Sequence, residues 1–211
     1  MSMDANAIAD VLRGAVPGAQ VDPSPSIDMP VLYVDRESWP AVARVLRDET
    51  SLQFQFLSDV IGADYHPREP RFEVVYLLVS LGVQGLGPQP ASAKRLRVKV
   101  RVPGADPRIP TMTELWPGAN WPEREVYDLL GITFEGHPDM RRVLMPEDWE
   151  GYPLRKDYPV QIRRGVKVYA PLQLSTEEFA SNMERVRRAS METGQEGLAR
   201  EGKDVPPTRD E

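Results

Sequence analysis

Residues 71–81 read RFEVVYLLVSL and residues 94–102 read KRLRVKVRV. The second stretch alternates without a break. Leu96, Val98, Val100 and Val102 fall on one face, and Arg95, Arg97, Lys99 and Arg101 on the other, which predicts a half-buried antiparallel strand. The first carries apolar groups on both faces from Val74 to Val79, the pattern of an interior strand. Between them, Gly82 to Ala93 is rich in glycine and proline and reads as a hairpin loop. Upstream, Ile8, Val11, Leu12 and Ala15 recur at helical spacing over residues 5–16, until Pro17-Gly18 stops the helix. Ile27 to Val34 reads as a strand, with Pro30 at an edge or near its start. Ser38 caps a helix whose buried stripe is Trp39, Val42, Ala43 and Leu46. Residues 52–60 read as a further strand, with Phe54 and Phe56 on one face. A helix, a strand, a helix and then a run of strands imply an α+β fold, with a mainly antiparallel or mixed sheet and helices on one side.

Beyond Pro110 the texture changes. Asn120 stands as a helix cap with Glu123 in capping-box position. Val126, Leu129 and Leu130 form the apolar face of this helix, and Gly131 its C-terminal stop. Glu123, Glu125 and Asp128 read as acids answering the helix dipole, and Arg124 and Asp128 as an i,i+4 pair. From His137 to Pro171 periodicity is weak and prolines recur. Trp149, Tyr152, Tyr158 and Tyr169 are nonetheless present, as in ordered, extended chain that lies on something. Ser175 to Glu178 is a capping box opening a narrow stripe of Phe179, Met183 and Val186. Past Gly194 the chain is polar and reads as disordered. The expected organisation is therefore a folded α/β domain over 1–135. A long extended proline-rich C-terminal arm over 136–211 follows, with a short helix near 176–193.

Composition excludes several chemistries. The 211 residues hold 26 basic and 32 acidic side chains, a net charge of −6, which disfavours nucleic acid as the main partner. There are no cysteines, so disulfides, thiolate catalysis and cysteine-ligated clusters are absent from the chain, and two histidines make a multi-histidine metal site unlike this sequence. Proline, at 21 residues, is about twice its usual ~5% share. The start MSMDANAIAD lacks the pattern of a signal peptide, and the most apolar run, Val74 to Val83, is half of the ~20 residues a membrane span needs. No dinucleotide fingerprint, phosphate loop or nucleophile elbow is present.

The most specific text is residues 115–159, LWPGANWPEREVYDLLGITFEGHPDMRRVLMPEDWEGYPLRKDYP. It resembles the C-subunit family of the proton-translocating NADH:quinone oxidoreductase, respiratory complex I. The family's first block matches Glu123, Arg124, Glu125, Asp128, Leu129, Leu130, His137, Arg141, Arg142, Val143 and Leu144. The second, Pro-Leu-Arg-Lys-Asp-aromatic-Pro, matches Pro153, Leu154, Arg155, Lys156, Asp157, Tyr158 and Pro159. Tyr152 departs from the family, where many relatives have histidine, and this points to a packing or hydrogen-bonding role. Residues 27–102 resemble the family's α/β domain more loosely.

The resemblance implies a non-catalytic subunit of the peripheral arm, on the cytoplasmic side of the inner membrane, that touches the membrane only through the complex. It implies docking on the D subunit near the quinone-reducing module, with the B and I subunits as further neighbours. It also implies that FMN, iron–sulfur clusters, NADH and quinone are bound elsewhere in the complex. Docking is expected to fall on Glu123, Arg124, Glu125, Asp128, His137, Arg141, Arg142, Pro153, Leu154, Arg155, Lys156 and Asp157. The rival readings are the equivalent subunit of a membrane-bound hydrogenase or another donor-fed complex, and a free-standing enzyme using Glu123, Glu125 and His137. A third, a nucleic-acid binder using the basic strand face, is opposed by the net charge.

Overall fold

A computed structural model describes residues 4–81, 94–159 and 175–185. The loop 82–93, Tyr169, Val186 and the tail past Gly194 lie outside the described residues. The chain divides into two units, Met1–Val160 and Gln161–Glu211.

In the first unit, α1 (Ala5–Ala15) leads into a short strand β1 (Val21–Ser24), then β2 (Val31–Val34) and α2 (Trp39–Asp48). The long strands β3 (Phe56–Asp64), β4 (Phe72–Ser80) and β5 (Lys94–Val102) follow. After them come β6 (Arg108–Pro110), a 3₁₀ turn at Pro117–Ala119, α3 (Asn120–Leu130) and β7 (Thr133–Glu135). The main sheet runs β1-β2-β5-β4-β3, and β6 and β7 form a separate parallel pair. The sheet is mixed: β2 pairs with β5 in parallel, and the other neighbours are antiparallel. β4 is interior, as its two-sided apolar pattern requires, and its register sets Val74 opposite Val100 and Tyr76 opposite Val98.

Leu96, Val98, Val100 and Val102 are wholly buried on the core face. They share one cluster with Ile8 and Leu12 of α1, Trp39 and Leu46 of α2, and Val126 and Leu130 of α3. The rings of Trp39 and Tyr76 meet at 4.7 Å, seating α2 on β4. Gly62 of β3 lets α3 approach, because a Cβ there would run into Leu130 and Val126.

Several local expectations need correcting. The strand predicted from Ile27 begins only at Val31, and Ile27 is fully exposed. Phe54 and Phe56 do not share a face: Phe54 is buried and Phe56 exposed. Gln53, at φ 51°, breaks the extended run just before them, so the strand starts at Phe56. At α2 the Ser38 side chain makes no cap bond; the Asp35 carboxylate instead accepts from the Ser38 amide at 2.9 Å.

The second unit contains a helix over residues 176–185. Its capping box forms as expected. The Ser175 hydroxyl accepts from the Glu178 amide at 3.2 Å, and the Glu178 carboxylate accepts from the Ser175 amide at 3.1 Å. Phe179 and Met183 on this helix are exposed.

Candidate partner-docking site

α3 ends at Gly131, whose φ of +72° closes the helix in the left-handed region. The family-like motif lies on α3 and on the stretch 136–159. By sequence that stretch opens the arm, yet it falls within the first unit, and the bonding of the motif shows why.

Asp128 is completely buried. Its Oδ2 accepts from the amides of Val143, Leu144 and Met145 at 3.0, 2.7 and 2.8 Å. Its Oδ1 accepts from Arg142 at 2.8 Å. Burial alone would push this carboxyl up. The amides of Met145, Leu144 and Val143 and the Arg142 guanidinium outweigh it and leave the group below the ordinary carboxylate range. Arg142 spends its other N–H groups on the carbonyls of Trp149 and Gly151, at 3.2 and 3.1 Å. One buried carboxylate and one guanidinium thus fix five loop residues on the helix.

Arg124 donates to the carbonyl of Arg141 at 3.0 Å and lies 5.1 Å over the Trp121 ring. The predicted i,i+4 pair of Arg124 with Asp128 does not form, because each side chain turns to the loop instead. His137 Nδ1 accepts from the Asp139 amide at 3.0 Å. That leaves Nε2 to carry the proton donated to the Asn120 carbonyl at 3.1 Å. Arg141 pairs with Asp139 at 2.8 Å and is largely exposed.

At the end of the loop, Arg155 donates to the Leu130 carbonyl at 2.6 Å, satisfying a free C=O of the last turn of α3. Its guanidinium lies 4.5 Å over Tyr152, and that of Arg142 5.3 Å over the same ring. Tyr152 meets Tyr127 edge-on at 6.3 Å, so its observed role is packing between two cations.

A second clasp escapes sequence reading. Arg71 binds Asp64 through two bonds, at 3.0 and 2.8 Å, and Asp157 through two more, at 3.0 and 2.7 Å. Asp64 also accepts from the Lys156 amide at 2.8 Å. Burial acts to raise the Asp64 carboxyl, but Arg71 and the Lys156 and His66 amides hold it well below the usual range. Nothing local in the sequence signals this clasp, since its three members lie on β3, at the start of β4 and at the end of the loop.

Glu123 corrects the capping box. α3 begins after Ala119, with no side-chain cap, and Glu123 turns inward and is fully buried. It accepts from the Met112 amide at 2.8 Å and the Thr111 hydroxyl at 2.5 Å. Burial pushes its carboxyl up to about 7, against the lowering effect of those two bonds. Glu125 is exposed on the opposite side, so Glu123, Glu125 and His137 share no hydrogen bond. Among the described residues no three His, Asp or Glu side chains are placed to hold a metal ion, and no helix is long and apolar enough to cross a membrane.

The buried members of the motif therefore hold backbone, and the face left outward carries Trp121, Glu125, Arg141, Leu144, Leu154 and Lys156, all exposed. The family model for the respiratory-chain NADH dehydrogenase 30 Kd subunit matches residues 32–164, from β2 through the whole of this face. The chain belongs to that family. The chain is 45% identical over 160 residues to the C subunit of NADH-quinone oxidoreductase from Roseiflexus sp. (strain RS-1), covering 76% of this chain and 87% of that protein. It is 55% identical over 114 residues to NADH-quinone oxidoreductase subunit 5 of Thermus thermophilus, covering 52% and 53%. Among solved structures, the trypsin-resistant fragment of Nqo5 aligns at 38% identity with a TM-score of 0.52, covering 65% of this chain and 99% of that one. The membrane-bound sulfane sulfur reductase, an archaeal respiratory membrane complex, aligns at 24% identity with a TM-score of 0.58, covering 74% and 85%, and shares the fold. The chain is thus a subunit of an NADH-quinone oxidoreductase, and the resemblance carried by residues 115–159 holds.

Proposed function

We propose that this chain is a non-catalytic structural subunit of the peripheral arm, seated on the D subunit on the cytoplasmic side of the membrane. In this reading the complex passes electrons from NADH to quinone and pumps protons. The flavin, the iron–sulfur clusters and the quinone site belong to other subunits, and the B and I subunits are further neighbours. The membrane is reached only through these partners.

One observation carries the reading. The buried Asp128 and the half-buried Arg142 and Arg155 are committed to each other, to the backbone of residues 143–151 and to the end of α3. A catalytic group needs access to a substrate, whereas these groups make a shaped surface. That surface combines an exposed Trp, an Arg and two Leu, the composition of an interface anchor. Residues 136–211 act together as the partner-wrapping arm in this account.

Mild-detergent purification from the source membranes, followed by cross-linking and mass spectrometry, tests this. Cross-links from Lys156 and from photoreactive groups at Leu144 to the D subunit are expected. Recovery of the chain as an active monomer, or with no electron-transfer subunit, would contradict the proposal.

A further inference from the structure

The sheet has a second face, turned away from the helices. By register it carries Phe56, Asp59, Ile61 and Ala63 on β3 and Val79, Leu77, Val75 and Glu73 on β4. On β5 the same face carries Arg95 opposite Val79, Arg97 opposite Leu77, and Lys99 opposite Val75. Phe56 is 50% exposed and Ile61 45%, and Val75, Leu77 and Val79 are half-buried. Two adjacent strands thus form an apolar stripe, interrupted on β3 by Asp59, and the next strand forms a row of cations. The row is partly neutralised: Lys99 pairs with Glu73 at 2.8 Å and Arg97 with Asp28 at 2.9 Å. Arg95 is exposed and has no carboxylate partner among the described residues.

The geometry points to a docking surface for an amphipathic helix, with acidic residues along one flank, from another subunit of the complex. Strands lie about 4.8 Å apart, so the stripe on β3 and β4 matches the apolar face of one helix about 10 Å across. A helix lying along it sets its flank over β5, where Arg95 and the outer nitrogens of Arg97 meet carboxylates. Val75 to Val79 spans about 13 Å at ~3.3 Å per residue, so about nine helical residues, at ~1.5 Å each, cover it. Asp59, opposite Leu77 in the β3 row, excludes acids from the flank over β3, which fixes the orientation of the helix. An anionic membrane does not suit this face, since Asp59 lies within it, opposite Leu77, and would be set against lipid phosphates.

The inference rests on the chain being a subunit of the complex, and one experiment separates the two claims. A photoreactive amino acid is placed at Ile61 in one strain and at Leu144 in another, and cross-links are mapped in the assembled complex in its membranes. The expected result at Ile61 is a cross-link into a helix of another subunit. Its yield should fall severalfold in Arg95→Glu and return when an acid on that helix is changed to Arg. Cross-linking of Ile61 only to lipid, to a second copy of this chain or to its own 176–185 helix overturns the inference. So does a yield indifferent to Arg95→Glu. If Leu144 still captures the D subunit in those cases, the functional reading stands and only this surface fails. Capture at Ile61 with none at Leu144 supports this surface and contradicts the docking of the α3 face.

Discussion

Replacing Glu123 by Gln should make the protein more stable at pH 8 and leave it almost unchanged at pH 4. The carboxylate is fully buried and without a cation, and burial raises it from 4.5 to about 7. A carboxyl whose folded value lies above its unfolded value binds more protons in the folded state between the two. Stability is therefore complete below pH 4.5 and declines as pH rises through 7. A rise of this size corresponds to about 3 kcal/mol lost at high pH, at ~1.4 kcal/mol per pH unit. Glutamine keeps the geometry: its carbonyl accepts from the Met112 amide, and its NH₂ donates to the Thr111 hydroxyl, which serves as donor or acceptor. The assay is urea unfolding of the full chain followed by tryptophan fluorescence at pH 4, 5, 6, 7 and 8. The difference between variant and wild type should grow from near zero at pH 4, through roughly 1 kcal/mol at pH 5, to about 3 kcal/mol at pH 8 in favour of Gln. A difference independent of pH, or a Gln variant weaker at pH 8, would refute the reasoning and show that ionised Glu123 has a favourable partner.

Asp128→Asn should act in the opposite sense, costing about 3–5 kcal/mol at pH 7 because Arg142 loses its buried counter-charge. This loss should shrink only in strong acid, since a lowered carboxyl contributes stability above its ordinary value and gives it up as pH falls through the lower one. Amide exchange at Val143, Leu144 and Met145 should accelerate in the same variant. Gly131→Ala should cost ~1–3 kcal/mol in thermal unfolding, because φ is +72° and a Cβ would lie 2.5 Å from the Arg155 guanidinium. Tyr152→Phe should change stability by less than ~0.5 kcal/mol, as the ring and not the hydroxyl meets Arg142, Arg155 and Tyr127.

Much of the sheet is readable in the sequence because β4 and β5 are long enough for period-two patterning to dominate, as the wholly buried Leu96, Val98, Val100 and Val102 attest. β1 escapes notice because Val-Asp-Pro-Ser is short and carries a proline, and its pairing with β2 is a tertiary choice. β6 and β7, of three residues each, are below the length at which alternation registers. The motif of the candidate site is legible as text, but its directions are not. Glu123 fits a capping box by spacing, and only the distant Thr111 and Met112 draw it inward. Arg124 and Asp128 fit an i,i+4 pair, yet each finds a stronger set of partners in the loop that the helix alone does not contain. The Arg71 clasp joins residues 64, 71 and 157, and no spacing rule connects them.

The claim that this subunit shapes and docks rather than reacts is tested most directly by Arg142→Ala in the source membranes. Both the amount of assembled complex and the NADH:quinone turnover per assembled complex are measured. Removing Arg142 frees the carbonyls of Trp149 and Gly151 and leaves Asp128 without its ion pair, so the loop held on α3 loses its shape. The expected result is a marked fall in assembled complex, with unchanged turnover in the complexes that form. Normal assembly with turnover lost would contradict the account and place chemistry at this residue.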